Sequence, residues 1–201
     1  MSEPVHHPEE HPHEPSPGPE SNLPDLHIDR YEAAWIRITV ITVVVFALAV
    51  VTASASYGIQ VPGVTGRIDP RTLMEPSSPF AAPQLREIAP GKYELYVRAQ
   101  VWSFAPLDPF NPLHIPAGSQ ITFYVTAMDV QHGFKIAGTN VNVMALPGQI
   151  SRVTTTFDQP GVYNVICHEY CGAGGPTIGH HTMYGVIIVD PPPAAEASAQ
   201  S

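Results

Sequence analysis

Two cysteines and a few histidines hold most of the chemistry available to this chain. Cys167 and Cys171, its only cysteines, stand in the run Cys167-His168-Glu169-Tyr170-Cys171-Gly172, followed by His180, His181, Thr182 and Met183. Upstream, Asp129-Val130-Gln131-His132-Gly133-Phe134 offers a further imidazole. Thiolate and imidazole with a distant thioether form a soft donor set that favours copper over hard cations. One Cys, two His and an axial Met would suit a mononuclear copper site. A second thiolate so close in the same loop can instead bridge a pair of copper ions, with one histidine terminating each. Sharing charge over two metals spreads the geometric change on electron transfer, and the set leaves no obvious open position for a substrate. The chemistry indicated is electron carriage. Two simpler readings compete: a disulfide between Cys167 and Cys171 in an oxidising compartment, and a Cys2His2 zinc site. The first leaves His132, His180 and Met183 without a role, and the Met and the strand-rich surroundings favour copper over zinc. His114, before a Pro-Gly turn, and His168, expected to face away from its cysteine neighbours, are not expected to be ligands.

Such ligands need a rigid frame. The cysteine loop begins where VYNVI ends and stops where YGVIIV begins, so it joins two strands at one end of a β-domain. From Tyr93 onward, short β-type runs follow one another: YELYVRAQVW, SQITFYVTA, His132 to Ile136, VNVMAL, ISRVTTTF, VYNVIC and YGVIIVD. Turn residues at Pro116–Gly118, Gly138–Asn140, Pro147–Gly148 and Pro160–Gly161 separate them. Many short strands without helical patterns between them predict an all-β fold, an antiparallel sandwich or Greek-key barrel, over residues 92–190.

Ahead of this domain lies AAWIRITVITVVVFALAVVTASAS, in which Arg37 is the sole charge. About 20 apolar residues suffice to cross the hydrocarbon core, so residues 31–57 are expected to form a transmembrane helix, with Trp35 and Tyr57 at its two interfaces. The polar, acidic stretch before it fits poorly with a signal peptide. Residues 1–30 form a His- and Pro-rich acidic tail, expected to be disordered and solvated; His6, His7, His11 and His13 could bind metal only weakly. Residues 58–91 are read as a linker with one short helical turn around Arg71–Met74, and residues 191–201 as a second tail. The formal charge of -9 is mostly a property of the N-terminal tail. It gives no support to nucleic-acid binding, which requires a basic surface.

The run C-x-E-x-C-G … H-x-x-M with an upstream D-V-x-H resembles the CuA centre of cytochrome c oxidase subunit II. The resemblance covers about Tyr31 to Val189: HGFKIAGTNVNVMALPGQIS, Tyr31-Glu32 before Trp35, and Ile68-Asp69-Pro70 after the span are similar to the single-span branch of that family. It implies a cupredoxin-like fold anchored by one N-terminal helix, in a bacterial plasma membrane, with the N-terminus cytoplasmic and the copper domain on the periplasmic face. Cys167 and Cys171 would be bridging thiolates, His132 and His180 terminal imidazoles, Met183 a weak axial ligand, and Glu169 the opposite axial ligand through its carbonyl. In many members a glutamate at that position also binds magnesium at the junction with subunit I. Trp102 would receive electrons from a cytochrome c-type donor, and Glu32 would sit near the mouth of a proton path. The implied activity is that of the electron-accepting subunit of a proton-translocating oxidase, passing electrons to haem in subunit I for oxygen reduction. A CuA-bearing nitric oxide reductase subunit and a membrane-anchored copper carrier are the alternatives. The sequence departs from the family in the ligand loop, where AGGPTIG (Ala173–Gly179) is longer by five residues. The H-x-x-M offset favours His180 over His181 as the second imidazole, with the Gly-rich insert bulging outward.

Overall fold

The computed structural model describes residues 28–61 and 63–192. The tail histidines His6, His7, His11 and His13 lie outside the described residues. Two units are distinguished, residues 1–51 and 52–201. The apolar run forms helix α1 (Arg30–Ser56), long and apolar enough to cross a membrane, with Glu32 in its first turn and no buried side chain. A helix apolar on every side, with its backbone groups paired internally, is matched to hydrocarbon rather than to water.

The second unit is the expected all-β, cupredoxin-like sandwich of two sheets. One contains β1 (Val64–Arg67), β2 (Arg86–Ala89), β3 (Lys92–Gln100), β4 (Ser103–Ala105), β6 (Ser119–Ala127) and β9 (Gln149–Phe157), with order β1-β9-β6-β3-β2 and β4 paired to β3. The other runs in the order β5-β11-β10-β7-β8, from β5 (Leu113–Pro116), β7 (His132–Ile136), β8 (Asn142–Ala145), β10 (Gly161–Ile166) and β11 (Tyr184–Asp190). Alternate residues of each strand point inward. Ile121, Phe123 and Val125 from one sheet meet Phe134, Ile136 and Ile187 from the other, all fully buried. Phe134 is the hub, with its ring centroid 5.5 Å from that of Phe104 and 5.7 Å from that of Phe123.

Two expectations are corrected. The sheets are mixed rather than antiparallel, because β3 pairs with β6 and β5 with β11 in parallel. The stretch expected as a linker also carries β1 and β2, the edge strands of the first sheet. Between them, Leu73 and Phe80 are fully buried, and the Arg98 guanidinium donates to the carbonyls of Phe80 and Ala81. Apolar anchors and the Arg98 Nη1 group, shared between two carbonyls, bind this segment to the domain despite its prolines. The helical turn expected near Arg71–Met74 is a 3-10 turn at Pro70–Thr72, capped by Asp69.

Candidate metal centre

Strands β7, β10 and β11 are neighbours in the second sheet, and their ends at one pole bring the chemistry together. The β10–β11 ladder closes at Ile166 and Tyr184, and the Cys167 amide extends it by donating to the Met183 carbonyl (3.3 Å). The loop from Cys167 to Met183 is thus anchored at both ends on paired strands. His132 opens β7, and its side chain is fully buried. Continuing the register in which Ile166 faces Lys135 brings His168 beside Gly133. A Cβ on Gly133 would lie 2.6 Å from the His168 ring, so glycine is what lets that ring pack there. The His168 ring thus packs on the β7 backbone at Gly133.

The Cys167 and Cys171 sulfurs are 3.7 Å apart and unbridged, well beyond the ~2 Å of a disulfide. Around them stand the Glu169 carbonyl, 3.1 Å from Cys167 Sγ; Met183 Sδ, 3.7 Å from Cys171 Sγ; and His180 Nδ1, 3.6 Å from Cys171 Sγ. His132 Nε2 meets Asp129 Oδ1 at 2.8 Å, while its Nδ1 is buried without a partner of hydrogen-bonding geometry and faces the Cys167 thiol. His132, Cys167 and Cys171 each offer one donor atom within 4.8 Å of the others, which is metal-site spacing. A buried imidazole nitrogen left free on the sulfur side fits a copper ion better than an apolar core, where an unpaired polar atom is costly.

The electrostatics agree. Burial pushes the Cys167 thiol up, but the facing His132 imidazole, the backbone around it and the Cys171 sulfur outweigh burial and bring the thiol down to about 6. For Cys171, burial and the adjacent Cys167 sulfur act together and push it up to about 12. His132 is opposed by burial, yet its contacts with Cys167 and Asp129 raise it. The cluster therefore carries one thiolate readily, and the second requires a cation that displaces the Cys171 proton.

The insert does not disturb the register. Ala173 pairs with Gly179, the Gly174 amide donates to the Ile178 carbonyl (3.0 Å), and the His180 amide donates to the Gly172 carbonyl (2.9 Å). This closed stem leaves the insert outside and delivers His180 to the cluster, while His181 stays exposed. His180→Ala is expected to lower copper affinity and alter the copper absorption spectrum, with His181→Ala leaving both unchanged; equilibrium titration of the two variants checks this.

Trp102, between β3 and β4, is half-buried, and its indole N–H donates to the Gly172 carbonyl (3.2 Å) beside Cys171. The Glu169 carboxylate points outward, 3.7 Å from His168 Nδ1. His114 lies elsewhere, with Nδ1 3.1 Å from both Asp190 carboxylate oxygens. Asp129 is the residue whose role sequence reading missed. It accepts from the amides of Val101 and Val130, both at 2.7 Å, while holding His132 Nε2. Its position three before His132 was the available signal. A carboxylate on the far nitrogen fixes tautomer and ring orientation, so Asp129→Asn is expected to weaken copper binding about 10–100-fold, measured by competition with a chelator.

Residues 98–188, which contain every one of these loop and strand donors, match the family described as cytochrome c oxidase subunit II, periplasmic domain. A cytochrome c oxidase subunit 2 from Thermus thermophilus is 37% identical over 163 residues, covering 79% of this chain and 91% of that protein. The chain belongs to the cytochrome c oxidase subunit II family. A second Thermus thermophilus protein of the same description is 39% identical over 139 residues, 68% of this chain and 96% of its own. A chain of a heme-copper terminal oxidase dimer solved by cryo-EM superposes with a TM-score of 0.62 at 34% identity, over 80% of this chain and all of that one. As a subunit II, the chain is part of a haem-copper oxidoreductase, and copper is the metal expected of its domain. The apolar helix α1 ahead of a periplasmic-type domain fits a single-pass membrane protein.

Proposed function

We propose that this chain accepts electrons from a cytochrome c-type donor at a binuclear CuA centre and passes them to haem in subunit I, where oxygen is reduced to water. The observation that carries the reading is the pair of unbridged sulfurs 3.7 Å apart, faced by the free, buried Nδ1 of His132. A copper pair bound there would supply reversible one-electron chemistry. Cys167 and Cys171 would hold it through their sulfurs, His132 and His180 through Nδ1, Met183 through its thioether and Glu169 through its carbonyl. Asp129 holds His132 in orientation, and the burial of both sulfurs and of Met183 keeps water from the donors. Water exclusion and ligands fixed on strand ends keep the same geometry in both charge states, which is what a relay needs.

The half-buried Trp102 indole spans from the surface to the Gly172 carbonyl, and it is the side chain through which the donor's electron arrives. Glu169 leaves its carboxylate free for magnesium shared with subunit I, and Glu32 at the start of α1 stands at the membrane edge near a proton path. The domain lies on the periplasmic face of a bacterial plasma membrane, with the N-terminus in the cytoplasm. Between residues 92 and 190, Lys92, Arg98, Lys135 and Arg152 nearly offset six acidic residues. Exposed Val101, Val130 and Tyr170 flank the site loops. Docking is therefore dominated by apolar contact.

Rapid anaerobic mixing of the copper-loaded full chain with a reduced c-type cytochrome tests the proposal. The expected result is uptake of a single electron per chain, at a rate nearly independent of salt, with copper retained against a chelator. Release of copper before any electron is taken up would favour a carrier, and a steep fall in rate with salt would contradict apolar docking.

A further inference from the structure

The insert Ala173–Gly179 is folded against Trp102, with its tightest approach at Gly174 among the insert's glycines. A Cβ on Gly174 would come within 2.6 Å of Trp102 Cζ3, and nearer still to Cη2. The indole ring therefore lies directly on the Gly174 backbone. The Gly172 carbonyl, at the base of the insert, accepts from both the His180 amide and the Trp102 indole N–H. One peptide oxygen thus ties together the second imidazole, the insert stem and the ring. Trp102 also borders an open groove of about 640 Å³, lined by Phe104, Leu107, Phe110, Ile178 and Tyr184 among others, which gives the ring room to turn if the insert lets go.

We infer that the insert is a positioning device for electron acceptance: through Gly174 it clamps Trp102 in the orientation that points its indole N–H at the ligand loop. The inference rests on the reading of Trp102 as the side chain through which the electron arrives. In that step one electron leaves the donor and one reaches the copper pair; no bond forms or breaks and no proton moves. Gly174 is a positioning residue because it touches neither donor nor metal. A side chain there forces either the ring or the loop to shift, and the site itself keeps its stem at Ala173–Gly179.

The test uses the full chain in a Trp35→Phe background, so that Trp102 is the only tryptophan. In metal-free protein, Gly174→Val and, separately, deletion of Gly175–Thr177 are expected to red-shift Trp102 emission and raise its acrylamide quenching constant. Unchanged emission and quenching in both variants would overturn the inference. In copper-loaded protein, Gly174→Val is expected to leave the copper spectrum intact and to slow oxidation of reduced cytochrome about 10-fold, as misplacement of a reacting group does. Reduction by a small inorganic reductant should proceed at the parent rate; an equal slowing with both reductants would mean damage to the site and would also overturn the inference. Trp102→Phe separates the two readings. If it leaves cytochrome oxidation at the parent rate, Trp102 is not the path, while the fluorescence result still decides whether the insert holds the ring.

Discussion

Cys171→Ser is expected to abolish electron acceptance from a reduced cytochrome and to reduce copper uptake from two ions per chain to one or none. The reason lies in the division of labour between the sulfurs. Cys171 Sγ sits 3.7 Å from Cys167 Sγ, 3.7 Å from Met183 Sδ and 3.6 Å from His180 Nδ1, so three other donors converge on this one atom. A serine hydroxyl is a hard, high-pKa donor that copper does not retain against thiolate. Without that sulfur, His180 and Met183 lose the donor they converge on, and any copper held by Cys167 and His132 alone would lack the donors that favour rapid one-electron exchange. Copper content by elemental analysis, with cytochrome oxidation by stopped flow, checks both halves. Because serine matches cysteine closely in size, thermal unfolding of the metal-free variant should stay near that of the parent.

Phe134→Ala is expected to destabilise the metal-free domain by about 3–5 kcal/mol, the range for deleting a buried aromatic ring. Phe134 is fully buried and joins the two sheets, meeting Phe104 edge-on and Phe123 at a tilt. It also lies two residues after His132 on β7, on the same inward face. Loss of the ring leaves a cavity directly behind the first imidazole, so copper affinity should fall along with stability. Phe134→Leu, which keeps most of the volume, should cost roughly 1 kcal/mol. Urea titration of both variants with and without copper separates the packing loss from the ligand effect, since bound metal adds stability by linkage.

The contrast between these two residues also explains what the sequence made legible. The bounds of β6 and β11 follow from apolar runs that end at clear turns, and those of the short β7 from the alternation of Phe134 and Ile136 and the turn at Gly138. The loop donors are recognisable because five of them, Cys167, Glu169, Cys171, His180 and Met183, lie in one contiguous stretch between β10 and β11. The edge strands β1 and β2 were read as linker because VTGR and REIA are short, exposed and carry no alternating signal; only their partners identify them as strands. Parallel pairing of β3 with β6 and of β5 with β11 was equally hidden, since inward–outward alternation is the same for either strand direction. In the site, Asp129 was visible as part of a motif. Its function depends on the β3–β4 turn bringing the Val101 amide to it from across the sheet. The contact of Trp102 with Gly174 likewise spans two loops far apart in sequence and has no local signature. Contiguity carried the ligands, and tertiary placement carried what supports them.

Cys167 and Cys171 are proposed to share two coppers acting as a single redox unit. The most direct test is electron paramagnetic resonance of the copper-loaded full chain, with copper per chain measured on the same sample. The expected result is two coppers sharing one unpaired electron, with hyperfine structure from two equivalent nuclei. A signal from a single copper nucleus, or a copper-free sample whose Cys167 and Cys171 are joined as a disulfide, would contradict it.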